Sequence, residues 1–311
     1  MTARLDTAET RFSTRTAPRT AAMLGYAALL ALWSWFVGIP NDPGGVVLWV
    51  WLGTIAWDIE APRERHLDFW RDWWKPMLIL VAYWLLRGLA DDVGSTVHYA
   101  MPIRVDEWLG GGVTPTERLQ GAWCGDPCLK SSEPRWYDSV FTTVYASHFV
   151  TGLAVAGVLW VRSRDVWLGW MRRLIGLHVV ALAIYWVYPM APPWMASRDG
   201  LLGQVARISR RGWSEIDLHR QTMVLFGMPN KVAAMPSLHA GVAFLLAFYA
   251  IERLRSPLRW LALVYPLTMS LVLVYSAEHY VIDAIVGALL AAAVIVGCRH
   301  WESRRGAPAA S

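Results

Sequence analysis

Charge is scarce in this sequence: 17% of its 311 residues are Asp, Glu, Lys or Arg, against 55% hydrophobic ones. With 20 Trp as well, the chain is not a disordered one, because disordered chains are poor in aromatics and rich in charge. A soluble monomer is excluded too, since it would have to expose large apolar patches. Three Cys cannot build a disulfide scaffold. The formal net charge of +5 hints at nucleic acid, but the basic residues fall in short clusters between apolar runs, so no nucleic-acid partner is expected. Internal repeats and low-complexity tracts are missing. The first apolar run is long and lacks a small-residue cleavage site, so no cleavable signal peptide is expected. What remains is an all-α, polytopic membrane protein.

A bilayer core about 30 Å thick takes about 20 helical residues to cross. Measured that way, the chain offers eight candidate crossings, near 20–38, 44–59, 70–90, 138–161, 168–189, 237–254, 259–277 and 280–298. The fourth, fifth, seventh and eighth read as spanning from composition alone. The second is short and follows the turn-rich run Pro40 to Gly45, so a re-entrant or interfacial piece is the alternative. Arg87, in the third, reads as a snorkelling side chain near a helix end. With a cytoplasmic amino terminus, 18 of the 29 basic residues fall in short inside segments, beginning with Arg4, Arg11, Arg15 and Arg19. The carboxyl-terminal tail, 299–311, is then cytoplasmic as well, and the protein is expected in the cytoplasmic membrane.

Two long outer loops result, near 91–137 and 189–236. The first holds Cys124-Gly125-Asp126-Pro127-Cys128, read as a small disulfide, with two free thiols or half of a metal site as alternatives. The second carries Arg198, Arg207, Arg210, Arg211, Arg220 and Lys231 against few acids. Most of the Trp residues read as interface anchors and lipid-facing bulk.

This topology brings distant residues to one membrane face. Pro236-Ser237-Leu238-His239 opens the sixth crossing at its outer end, and Glu278-His279-Tyr280-Val281-Ile282-Asp283 opens the eighth. Tyr188 to Trp194 arrives at the same depth from the fifth. His279 and Asp283, four apart, share one helical face and can hydrogen-bond. A carboxylate on one ring nitrogen fixes the tautomer and raises the basicity of the other, which suits a nucleophile or general base. His239 would be the complementary acid. The start at Pro236-Ser237 offers free amides and the positive end of a helix dipole, a seat for phosphate. Each piece has a bland reading, as a boundary His or a self-neutralising pair. Asp283 speaks against blandness, because a carboxylate inside an apolar helix costs up to about 2–3 kcal/mol. His148, in the fourth crossing, either lines the same cavity or is a buried imidazole satisfied by a neighbouring helix, the reading preferred here. His178 reads as structural, His66, His98, His219 and His300 as loop or boundary residues, and Glu278 as an acid facing water beside the site.

These segments resemble the type 2 phosphatidic acid phosphatase superfamily, particularly its inositol phosphorylceramide synthase-like branch. The resemblance rests on the Pro-rich Tyr188 to Trp194, on Asn230 to His239 ending in Pro-Ser-Leu-His, and on His279-Tyr280-Val281-Ile282-Asp283 with Gly287 after it. It implies a six-helix catalytic core over 70–298, to which residues 1–69 add a cytoplasmic segment and two helices. It also implies that His279 attacks phosphorus, that Asp283 orients it, and that His239 protonates the leaving oxygen and then activates the acceptor. A phosphohistidine would be resolved by an alcohol such as inositol in a transferase, or by water in a phosphatase, with no metal or other cofactor required. The substrate would be a phospholipid or an isoprenoid phosphate; a non-catalytic lipid-binding or transport protein is the remote alternative. Ser237, Pro193, Tyr280 and His148 are the other candidates for contact with the phosphate. The usual cations are missing: the first motif reads Pro-Met-Ala-Pro-Pro-Trp, and Val272-Leu273 stand where the common form has Ser-Arg. Arg207, Arg198 and Arg211, in that order, are the candidate replacements.

Overall fold

The structure is a computed structural model that describes residues 16–40, 42–89, 96–213 and 231–305. Arg4, Arg11, Arg15, His219, Arg220 and Asn230 lie outside the described residues. Among the described residues there are helices and no strands: α1 (Thr16–Phe36), α2 (Pro43–Trp57), α3 (Arg63–Leu89), α4 (Ala100–Leu109), α5 (Pro115–Trp123), α6 (Trp136–Arg162), α7 (Arg164–Val187), α8 (Pro193–Arg198), α9 (Leu238–Arg253), α10 (Val264–Tyr275) and α11 (Val281–Arg304). A 3-10 segment, Pro257–Leu263, leads into α10.

The eight longest stretches coincide with the eight expected crossings. Four are long and apolar enough to span a bilayer by length and composition: α6, α7, the 3-10 segment with α10, and α11. They are the four that composition alone singles out. Helix α2 is apolar but shorter; it opens on Asp42, whose side chain caps Gly45 N, with Pro at its first turn. The protein is a polytopic helical membrane protein.

The two outer loops contain short helices, α4, α5 and α8. Helix α5 is launched by a capping box in which Thr114 and Glu117 serve each other's backbone amides. Most of the Trp residues are exposed or half-exposed, as expected of interface anchors and lipid-facing bulk, but a few are core residues. Trp73, Trp167 and Trp170 are fully buried in the main core, with Phe69 stacked on Trp73 at 4.5 Å. Exposed apolar bulk comes from Trp side chains such as Trp35 together with Leu24 and Phe36 of α1 and Val158, Val187 and Leu289 further on.

The core joins α3, α6, α7, α9 and α11 around Leu174, Leu177 and Leu245. At one end of the bundle, Glu302 of α11 accepts from both Arg172 and Arg173 of α7. At the other end, α7 finishes and α9 and α11 begin, and there the polar residues of the site gather.

Candidate active site

Helices α9 and α11 approach at backbone distance. A Cβ at Gly287 would lie 2.5 Å from Ser237 O, and one at Gly241 would lie 3.4 Å from Gly287 O. Only glycine at 287 lets the first turns of the two helices touch. Ser237 N donates to Asp283 O, and Tyr185 OH of α7 donates to Pro236 O. The Pro-rich motif is braced on the same scaffold: Met190 N donates to Val232 O, Ala234 N to Met190 O, and Trp194 N to Ala277 O. Ala277 holds φ at 59°, a costly conformation for a residue with a Cβ, at the turn that aims Glu278 and His279 inward.

The result is a row of rings. The centroids of His239 and His279 are 5.7 Å apart, and those of His148 and His239 are 4.1 Å apart. Tyr145 stacks on His239 at 4.8 Å. Behind His279, Asp283 is fully buried; its Oδ2 sits 3.3 Å from His279 Nδ1 and accepts from Tyr280 N at 2.9 Å. With Nδ1–H donating to that carboxylate, the lone pair of His279 lies on Nε2. Among the described residues, His239 Nε2, His148 Nδ1 and Asp283 Oδ1 are buried and find no hydrogen-bond partner. Buried polar atoms are costly when unsatisfied, so the cluster is built for a polar ligand.

The cations are distributed unevenly. Arg207 donates from Nε and Nη2 to the two oxygens of Glu278, at 2.8 and 3.0 Å, and lies over the Trp194 ring at 4.9 Å. Arg198 is exposed and pairs with its neighbour Asp199. Arg211 is a correction to its expected role: it is buried and committed to structure, donating to Asp138 Oδ2 and Tyr275 OH. Its Nη1 also donates to Sγ of Cys124, which is joined to Cys128 in a disulfide.

Other expectations change as well. Ser237 is buried, and its Oγ caps its own helix by accepting from Ala240 N. Tyr280 is buried among Ile103, Met190 and Ala234 instead of facing the imidazoles, and Pro193 forms the buried start of α8. His148 is not satisfied by a neighbouring helix; it abuts His239. Glu278 does not face water: it is 8% exposed and accepts from Ser209 as well as Arg207. His178, in contrast, is tied to Leu174 O of its own helix.

Three residues near the site escape a sequence reading. Arg87 is half-buried with its Nε shielded from solvent, so it is not simply a side chain extended to the interface. A cation inside an apolar helix was the available signal. Tyr145 carries no pattern that marks it. Asp106 of α4 is fully buried and accepts from Val281 N and Ile282 N at the start of α11. Burial pushes its carboxyl up to about 6 against the pull of those amides, with the charge of Asp283 adding to the rise.

Residues 129–297, more than half of the chain and including every imidazole of the row, match the PAP2 superfamily. The chain belongs to the PAP2 superfamily. It is also similar to phosphoinositol dihydroceramide synthase of Bacteroides thetaiotaomicron, at 28% identity over 137 residues. That match covers 40% of this chain and 43% of the relative, so the chain spans less than half of the relative's length. No solved structure matches. This PAP2 protein thus departs from the common cation pattern while keeping two adjacent imidazoles and a buried acid at the mouth of its bundle.

Proposed function

We propose that this protein is a membrane-embedded lipid phosphotransferase of the PAP2 superfamily that works through a phosphohistidine on His279. The observation that carries the proposal is the 5.7 Å separation of His239 and His279, with Asp283 behind the latter. His279 Nε2 attacks phosphorus while the bond to the leaving oxygen breaks, and protonated His239 gives that oxygen its proton. Neutral His239 then takes the proton of an acceptor hydroxyl, whose oxygen displaces His279 from phosphorus. Charge developing on the equatorial oxygens would be met by Arg207 and the first amides of α9. No metal is called on in this sequence of steps.

The substrate class proposed is a lipid phosphate or phosphodiester, delivered from the bilayer that the apolar helices occupy. The similarity to a phosphoinositol dihydroceramide synthase supports an alcohol, inositol or another polyol compound, as the acceptor rather than water. The excess of Arg in the short loops supports an active site on the extracytoplasmic face, with residues 70–298 as the catalytic core.

The test uses purified protein in lipid nanodiscs with phosphatidic acid or phosphatidylinositol labelled at phosphorus, with and without inositol. Label is expected in an inositol ester when the alcohol is present, inositol phosphate from phosphatidic acid and a new phosphodiester from phosphatidylinositol, with EDTA in the buffer making no difference. Label passed only to water, as inorganic phosphate from phosphatidic acid and as inositol phosphate from phosphatidylinositol, would make the protein a hydrolase. Undiminished turnover by a folded His279→Ala variant would overturn the mechanism.

A further inference from the structure

The superfamily's usual phosphate-gripping cations are missing from their usual places in this sequence, and Arg207 is paired with Glu278, the neighbour of His279. Arg207 comes from the strap that crosses the end of the bundle, where Gln120 Nε2 donates to Ala206 O and Tyr275 O and Ile208 N donates to Ser276 O. An arginine on such a strap is half-exposed, and its long side chain has many rotamers to lose before it can hold an anion. Two contacts remove that freedom. Glu278 takes Nε and Nη2 in the bidentate geometry that fixes a guanidinium plane, and the Trp194 face supports it from beneath. Glu278 is itself fixed, because Ser209 Oγ donates to its Oε1 at 2.5 Å and the backbone N–H groups of both Glu278 and His279 donate to Leu273 O. The residue that clamps Arg207 is therefore the chain neighbour of His279. Bidentate pairing occupies Nε and one face of the fork, and leaves the Nη1 donors for a phosphoryl oxygen.

We infer that Glu278 is a positioning residue that orients Arg207 onto the phosphoryl group of the substrate, so that Arg207, Glu278 and Trp194 together replace the missing cation motifs. This rests on the reading of Arg207 as a phosphate ligand given above. It has an unusual consequence of sign. A carboxylate so near an anion site repels the anion, so by charge alone its neutralisation would tighten anion binding. If Glu278 acts by orienting Arg207, its neutralisation weakens binding.

Orthovanadate, which mimics the phosphoryl group in transfer, serves as the probe, with its affinity read from the rise in unfolding temperature of the full-length protein in detergent. Arg207→Ala is expected to weaken vanadate about a hundredfold, in the range seen when one transition-state donor is removed. Glu278→Gln is expected to weaken it about tenfold, and the double variant no more than Arg207→Ala alone, because the carboxylate acts only through the guanidinium. Tighter binding by Glu278→Gln, or the same tenfold loss in the Arg207→Ala background, overturns the inference. Unchanged binding by Arg207→Ala overturns the underlying reading of Arg207 instead, and no stabilisation of the unmutated protein by vanadate overturns the phosphate site as a whole. Should Glu278→Gln fail to fold, Glu278→Asp carries the same test: it keeps the charge, draws the carboxylate back by one methylene, and is expected to lose affinity with the same dependence on Arg207.

Discussion

Two helices begin at the site, and they treat their first turns in opposite ways. Helix α11 is saturated with acid: Asp106 accepts from Val281 N and Ile282 N, and Asp283 accepts from Tyr280 N. Helix α9 has no acid in its first turn and is capped by the neutral Ser237. Both ends carry the positive pole of a helix dipole. In α11 that pole is used internally, to hold the carboxylate that sits behind His279. In α9 no acid occupies it. Under the proposed function, one helix start organises the nucleophile and the other receives the charge that the nucleophile attacks.

The largest effect is expected where the acid-saturated start meets the imidazole. Asp283→Asn keeps an oxygen for Tyr280 N but removes the charge that stabilises a positively charged His279. Turnover should fall about a thousandfold, within the span of general acid–base effects, while the unfolding temperature changes little. A variant that turns over normally would reduce Asp283 to a helix cap. Next comes the contact that makes the comparison possible at all. Gly287→Val places a Cβ 2.5 Å from Ser237 O, so the helices must part or the backbone must shift. Overpacking of this kind costs about 1–3 kcal/mol, and thermal unfolding should show the upper end of it together with loss of vanadate binding. Retention of both would mean that α9 and α11 need not touch.

A smaller effect is expected from the other acid of α11. The carboxyl of Asp106 rises to about 6 in the folded protein, from an ordinary value near 4. A group raised on folding contributes stability that is complete below its unfolded value and is lost as pH climbs through its folded one. The unfolding temperature should therefore decline between about pH 4 and pH 6 by the equivalent of ~2–3 kcal/mol, at ~1.4 kcal/mol per unit. Asp106→Asn should flatten that decline. If the variant and the parent follow the same curve, Asp106 is not the titrating group.

Much of this was legible beforehand, for physical reasons that differ from residue to residue. Runs of apolar residues mark α6, α7, α10 and α11 because a bilayer imposes one length on every crossing. His239, His279 and Asp283 were legible because a helical hairpin must return to the face it left. Asp106 was not, since its partners are backbone amides 175 and 176 residues away and no spacing encodes that. Arg211 was misjudged for a related reason. A basic residue in an outer loop looks available until its carboxylate, Asp138 on α6, is located in space. Glu278 reads as an acid facing water for the same want of a partner, and nothing in the sequence separates the few core Trp, such as Trp167 and Trp170, from the exposed majority.

The finest test converts one helix start into the likeness of the other. Asp and Asn are equally good caps and nearly equal in shape, so Ser237→Asp and Ser237→Asn should leave α9 equally stable and differ only in charge. An aspartate there reproduces the acid-saturated arrangement of α11, and its negative charge occupies the pole that α9 holds open. Vanadate should bind the Asp variant about tenfold more weakly than the Asn variant, a difference of ~1.4 kcal/mol, within the reach of a helix-terminus charge effect in a partly buried setting. Raising the salt concentration should narrow the gap only slightly, because Ser237 is shielded from solvent. Equal affinities would mean that the anion sits elsewhere, on Arg207 and the imidazoles alone, and that the contrast between the two helices is one of folding rather than of chemistry.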